Sequence, residues 1–337
     1  MQIKIREIST ASLSCEPLIK RTKNGELLCV CQQDGLVEPS AENRVYVFHS
    51  KDNGETWSKR ERILPENGRA VYATELSVMD DEITAYLTLH AGGFLDWDCV
   101  MMKSYDNGYT WQEAGAPPFF PAYTFFRSQK SRADGTVLLP YQSYPVTPKE
   151  RDRVMADPKK NNIAYTQTPY CENGVLMSKD GGRSYERVTA CKIDTSMGWS
   201  WCEPTIAFLS DGGASMLMRR EGNGRLWRCD SPDGGLTWGE AYRTDIPNPT
   251  SKPFLLNLDA GRIALLHTPN DCGKGYGRRE PLEVWISDDD MKSWGQKIRL
   301  TDFPGEYHYA DGFYENGHIL FVIEHNRHTI LFFDVAL

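Results

Sequence analysis

The sequence predicts an all-β fold, a single six-bladed β-propeller spanning residues 1–337, and three observations predict it. An eight-residue motif occurs five times, an apolar hairpin pattern lies upstream of the copies, and both chain ends read as strands of one sheet. A propeller blade is a four-stranded antiparallel sheet, so a repeat of roughly 50 residues is the period to expect.

The motif sets that period. Ser50-Lys51-Asp52-Asn53-Gly54-Glu55-Thr56-Trp57 recurs as Ser104-Tyr105-Asp106-Asn107-Gly108-Tyr109-Thr110-Trp111, as Ser178-Lys179-Asp180-Gly181-Gly182-Arg183-Ser184-Tyr185 and as Ser231-Pro232-Asp233-Gly234-Gly235-Leu236-Thr237-Trp238. A degenerate copy, Ser287 to Trp294, has Met291 at the glycine position. Successive copies start 54, 74, 53 and 56 residues apart. The chemistry is that of a tight turn: the aspartate accepts hydrogen bonds from the turn's own backbone, the glycine supplies a positive φ, and the aromatic residue packs between sheets. Such turns identify a fold and leave function open.

The hairpins come next. Leu18-Ile19 leads through Asn24-Gly25 to Leu27-Leu28-Cys29-Val30; Thr205-Ile206-Ala207-Phe208 leads through Asp211-Gly212 to Met216-Leu217-Met218; Phe254-Leu255 leads through Ala260-Gly261 to Ile263-Ala264-Leu265-Leu266. Apolar runs punctuated by glycine turns read as paired strands. A sixth hairpin, from Tyr309 through Asn316-Gly317 to Ile319-Leu320-Phe321-Val322, has no motif of its own. Gln2-Ile3-Lys4-Ile5 is expected to add the outer strand of that blade, closing the ring without a free sheet edge. The surplus between the second and third motifs, residues 145–170, holds Pro145, Pro148 and a charged run and reads as a polar loop insertion, either flanking the channel mouth or simply solvated.

Composition bounds the partners. A net charge of −8 repels nucleic acid and anionic membrane surfaces, so neither is expected to bind. There is no apolar stretch of the length a membrane span or a signal peptide needs, which makes a soluble, cytoplasmic protein the expectation. The nine cysteines lack the paired spacing of a zinc site and read as buried free thiols, so no metal or cofactor is implied. Oligomeric state is left open.

In a propeller the innermost strands face the axis. Counting back eight or nine residues from each hairpin glycine reaches Glu16, Arg127, Glu203, Lys252 and Tyr309, and Glu75 takes the matching place in the second blade. Three carboxylates, two cations and a phenol thus converge on one end of the channel. They are either mutually satisfied ion pairs plugging it or a polar binding site with an acid and base built in.

The repeated motif resembles the Asp box of sialidases, and the chain resembles the sialidase superfamily over almost its whole length. That superfamily uses a last-blade tyrosine as nucleophile, a middle-blade glutamate to activate it, three arginines to clamp the substrate carboxylate and an aspartate near the first blade as acid/base. Glu203-Pro204-Thr205-Ile206-Ala207-Phe208 through Met218-Arg219 resembles the glutamate strand and the arginine after it. Gly277-Arg278-Arg279-Glu280-Pro281-Leu282 resembles the next arginine segment, Arg279 being the better match, and Tyr309-Ala310-Asp311-Gly312 resembles the nucleophile segment. The resemblance implies a retaining exo-glycoside hydrolase for a terminal anionic sugar. A phenol of pKa about 10 needs a neighbouring base to attack near neutral pH, the task it gives Glu203. Trp199 and Trp201 offer a face for a sugar ring or serve inter-blade packing.

Ser14-Cys15-Glu16-Pro17 stands where the superfamily has Arg-Ile-Pro. A glutamate there opposes a substrate carboxylate unless protonated or paired, with Arg127 or Lys252 available to compensate. For the acid/base, Asp34 and Asp98 are favoured over Glu42 and Asp96 on the corresponding stretches of blades one and two. His308 and the turn Glu324-His325-Asn326-Arg327-His328 are placed for chemistry, whereas His49, His90 and His267 sit in apolar strands. Two alternatives stay open on the same scaffold: a polysaccharide lyase or histidine-using rhamnosyl-glucuronate glycosidase, and a non-catalytic carbohydrate-binding propeller. A small carbohydrate is the expected partner.

Overall fold

In the computed structural model, residues 2–117, 123–132, 134–272 and 276–337 are described. Among them the strands form six antiparallel sheets, five running outward from an inner strand in chain order and the sixth taking the first strand of the chain as its outermost member. The inner strands are Ser14–Arg21, Ala70–Met79, Thr124–Phe126 with Lys130–Ser131, Pro204–Phe208, Phe254–Asn257 and Tyr307–Glu315. In the last blade Gln2–Thr10 lies outside Thr329–Ala336, with Ile3 opposite Val335 and Ile5 opposite Phe333. The first and last strands of the chain thus share one sheet. This pairing covers the edge of Thr329–Ala336.

The repeated turns show why the sequence repeats. In each, the serine Oγ accepts from the backbone N–H four residues on, at 2.8 Å for Gly54, Gly108 and Gly182, 2.7 Å for Gly235 and 2.9 Å for Met291. The aspartate takes the backbone N–H and hydroxyl of the Thr or Ser that follows; for Asp233 and Thr237 these bonds are 2.8 and 2.7 Å. Glycine is required for closeness as well as for φ. A Cβ at Gly54 would stand 2.1 Å from Phe332 Cε1 of blade six, and one at Gly108 2.9 Å from Leu28 Cδ1 of blade one. Each turn therefore rests on the blade before it. In the fifth turn Met291 adopts φ 65 and is buried among blade-four and blade-five residues including Ala207 and Leu217.

Most of the apolar core lies between blades. Leu28, Val47, Ala73 and Leu87 join the first two, and Leu256, Ile286, Phe321 and Phe333 join the last two. Residues 145–170 differ from the expected polar loop. Pro148–Met155 is an α-helix capped by Thr147, whose side chain accepts from Glu150 N, and Ile163–Tyr165 is a 3-10 turn. Pro148 sits in the helix's first turn, where a missing N–H costs nothing. Val154 and Ile163 are buried, and the Ile163 N–H bonds Gly93 O at 2.8 Å, so the segment is anchored on blade two. No helix among the described residues is long and apolar enough to cross a membrane.

Candidate active site

One end of the channel opens into a cavity of about 190 Å³ lined by Glu16, Arg127, Glu203, Arg219, Arg279 and Tyr309, joined by Glu38 and Arg327 and by an aromatic wall that includes Trp201. The backbone aims these side chains through irregularities at the start of the inner strands. The register slips between Cys15 and Leu18 and between His308 and Asp311, and within those bulges Glu16 and Tyr309 take φ of 51 and 53. A bulge re-aims a side chain, and a non-glycine residue at positive φ stores strain that surrounding contacts must hold.

Tyr309, Glu203 and Arg219 form the centre. Tyr309 Oη donates to Glu203 Oε1 at 3.0 Å, and Arg219 Nη1 donates to the same Oε1 and to Tyr309 Oη, both at 3.1 Å. Arg219 Nη2 also donates to Glu221, which accepts from Ser200 Oγ. Burial works against charge on Glu203, but the guanidinium groups of Arg219 and Arg127 outweigh it and hold the carboxyl below its usual range. Burial, and then the Glu203 charge, push the Tyr309 phenol well above its ordinary value. The resting pair is therefore a neutral phenol beside a carboxylate.

Around this centre the cations differ in their partners. Arg127 donates to Glu16 Oε2 at 3.1 Å, and Arg327 pairs with Glu38. Arg279 donates to His308 Nδ1 at 2.6 Å and to Thr250 O at 2.9 Å. Burial and the nearby Arg279 lower His308 to about 2, so it is a neutral acceptor that orients the guanidinium. Trp201 stands edge-on to Phe125, with ring centroids 5.8 Å apart, while Trp199 stacks on Tyr144 at 4.2 Å, away from the cavity.

Several sequence expectations need correcting. Asp34 does not reach the cavity, because Tyr46 Oη at 2.5 Å and Arg60 Nη1 at 3.0 Å occupy its carboxylate. Asp98 is exposed and paired with Arg69 at 2.7 Å, and Asp96 is held by the same arginine. Glu75 turns away down the channel, accepting from Leu76 N and Gln129 N, both at 2.9 Å, and pairing with Lys20. Lys252 lies behind the nucleophile, its Nζ 5.4 Å from the Tyr309 ring centroid. His308 supports Arg279 and does not line the cavity. Arg278 points outward to Glu280.

Sequence reasoning did not single out Glu38, Arg327, Tyr72, Phe94, Phe125 and Tyr276, which also line the cavity. The one signal was the Glu324–His328 turn: Asn326 and Arg327 are its two central residues, at φ of 55 and 60, which projects Arg327 inward.

Solved propellers share this architecture. The Hadza microbial sialidase Hz136 matches 97% of the chain with a TM-score of 0.73 and 16% identity, and the chain spans 66% of that protein. A protein of unknown function from Dyadobacter fermentans matches 99% of both chains at 0.70 and 16%. Trypanosoma rangeli sialidase, solved with 2,3-difluorosialic acid as a covalent intermediate, matches 98% at 0.66 and 14%, and the chain spans 54% of it. At such identities the likeness is one of fold, and with the repeated turns it makes this molecule a sialidase-like β-propeller. The chain belongs to the BNR repeat-like domain family, whose model matches residues 76–322. No curated protein sequence matches it.

Proposed function

We propose that this propeller is a retaining exo-glycoside hydrolase that removes a terminal anionic sugar, a sialic acid or a uronic acid. The observation that carries the reading is the Tyr309–Glu203–Arg219 contact, a phenol 3.0 Å from a buried carboxylate and sharing a guanidinium with it. Glu203 takes the phenol proton as Tyr309 attacks the anomeric carbon, and Arg219 steadies the charge as it shifts between the two oxygens. A neutral nucleophile suits an anionic substrate because it avoids repulsion before attack. Four arginines against three glutamates in the wall favour an anion. The volume of about 190 Å³ is below the roughly 300–1,000 Å³ of drug-sized sites, which suits one terminal sugar better than a stretch of polymer.

The test is a panel of nitrophenyl sialosides and uronides together with natural oligosaccharides, read for released aglycone and for absorbance of a new double bond. Hydrolysis without the double bond is expected. Tyr309→Phe and Glu203→Gln should each lower kcat by about 10³-fold or more. If sialosides are the glycosides turned over, 2,3-difluorosialic acid should add one glycosyl mass to the Tyr309 peptide of the wild type and none to Tyr309→Phe. Double-bond formation would transfer the site to a lyase, and unchanged turnover in Tyr309→Phe would remove the nucleophile assignment.

A further inference from the structure

We infer that Glu16, standing where the superfamily keeps an arginine, is the general acid and base of this site and the donor of a proton to the leaving aglycone oxygen. The inference rests on the retaining reading above and supplies the group that reading lacks.

Among the described residues, three carboxyl groups line the cavity. Glu203 is committed to Tyr309 and Arg219. Glu38 accepts on both oxygens, Oε1 from Gln32 at 3.3 Å and Oε2 from Arg327. Glu16 receives only the Arg127 Nη1 bond, on Oε2 at 3.1 Å, and among the described residues no donor reaches Oε1. It therefore combines a fixed position with an uncommitted oxygen. The fixing is backbone work: Glu16 sits at φ 51 inside a bulge, and its N–H donates to Glu324 Oε1 at 2.6 Å. Strain of this kind persists where the surroundings over-determine it and is concentrated at functional sites.

Charged and titratable groups face Glu16 from all six blades. Cys15 and Glu38 come from blade one, Tyr72 from blade two, Arg127 from blade three and Glu203 from blade four. Lys252 comes from blade five, and Tyr309, Glu324 and Arg327 come from blade six. Burial is the largest influence and raises the Glu16 carboxyl; Arg127 opposes it, Glu38 adds to it, Lys252 opposes it and Glu203 adds again, leaving it at about 7. Burial likewise takes Glu324 to about 8. An acid that titrates near ambient pH can both give and regain a proton in each cycle.

The steps balance. In the first, Tyr309 Oη bonds to the anomeric carbon as the bond from that carbon to the aglycone oxygen breaks; the phenol proton passes to Glu203 and the Glu16 proton to the aglycone oxygen. In the second, a water oxygen bonds to the anomeric carbon and its proton returns to Glu16. Tyr309 leaves and recovers its proton from Glu203.

The experiment compares wild type, Glu16→Gln, Glu16→Asp, Glu38→Gln and Tyr309→Phe on nitrophenyl and methyl glycosides of N-acetylneuraminic acid and of glucuronic acid. Nitrophenolate departs without a proton and methanol does not. Glu16→Gln should lose about 10²–10⁴-fold in kcat/KM on the methyl glycoside and little on the nitrophenyl one. It should also lose the basic limb of the pH profile, and added azide should speed its nitrophenol release. Glu16→Asp, which restores a carboxyl, should recover part of the methyl-glycoside rate. Equal losses on both aglycones, or the aglycone-dependent loss appearing in Glu38→Gln instead, overturn the assignment and leave the hydrolase standing. An active Tyr309→Phe removes the retaining reading itself, and a wild type inert on all four glycosides removes both.

Discussion

Arg219→Met is the most informative single change to the buried charges of this protein. Arg219 is 2% exposed, and its guanidinium serves two carboxylates, Glu203 through Nη1 and Glu221 through Nη2. Methionine fills much of the same volume, so the change isolates the charge. Removing one partner of a buried ionic group costs roughly 3–5 kcal/mol. At about 2 °C per kcal/mol, suitable for a long chain, the melting temperature should fall by roughly 6–10 °C near neutral pH. The sign of the pH dependence follows from Glu203. In the wild type its carboxyl is held below the usual range, so its stabilising contribution is present above the unfolded pKa and is lost as pH falls through the folded value. Without Arg219, burial becomes the stronger influence and the folded pKa rises above the unfolded one; the variant is then penalised at neutral pH and recovers as Glu203 protonates. Glu221, already raised by burial, moves the same way. Calorimetry from neutral pH down to about 4.5, near the unfolded pKa of Glu, should therefore show the gap between the proteins closing as acid is added. A gap below about 1 kcal/mol, or one that does not change with pH, would refute the claim that Arg219 neutralises this centre.

Three further outcomes follow from the scaffold. Gly54→Ala should cost about 2–4 kcal/mol in urea titration because its Cβ meets Phe332 at 2.1 Å, whereas Gly25→Ala, with the same φ of +88 and nothing within 4 Å, should cost only about 1; equal costs would mean that φ alone selects the glycine. Asp233→Ala should lower the melting temperature. Because the hydroxyl and then the backbone N–H of Thr237 pull Asp233 down to about 2, the difference from wild type should be full near neutral pH and shrink as pH falls toward that value, which calorimetry can follow. Deleting residues 2–10 uncovers the edge of Thr329–Ala336, where Ile3 and Ile5 pair with Val335 and Phe333, and size-exclusion chromatography should show association or loss of the folded peak.

The blades are legible in the sequence because each repeated turn encodes two local requirements, an aspartate acceptor and a glycine that must both turn and admit the neighbouring blade. The inner positions are legible by counting because strand period and hairpin length fix them to within a residue, and that count is enough to bring Glu16, Arg127, Glu203 and Tyr309 to one cavity. It cannot foresee bulges. The register slip between Ala73 and Glu75 sends Glu75 down the channel to Lys20, although its place in the count matches the others. The stretch between the second and third strands of blade one offers Asp34, Glu38 and Glu42, and spacing cannot choose among them. The choice is tertiary: Tyr46 and Arg60 occupy Asp34, while Glu38 turns inward to meet Arg327 from the opposite end of the chain.

The pairing of the four cavity arginines bears on which of them can receive a ligand. Arg127 answers Glu16, Arg327 answers Glu38, and Arg219 answers Glu203 and Glu221. Among the described residues Arg279 has no carboxylate partner; its guanidinium is spent on a neutral imidazole and a backbone carbonyl. Burial and the neighbouring Arg219 lower its pKa from the ordinary value, the mark of a cation short of compensating charge. His308 holds that group in one orientation without neutralising it, because a protonated imidazole would repel it and a carboxylate would quench it. On the proposed reading this is the arrangement an incoming carboxylate needs: a cation oriented in advance, desolvated and unpaired, so that binding supplies the missing charge and breaks no existing ion pair. On that reading a glutamate at position 16 needs no help from Lys252, since the anion is held where the wall already lacks one.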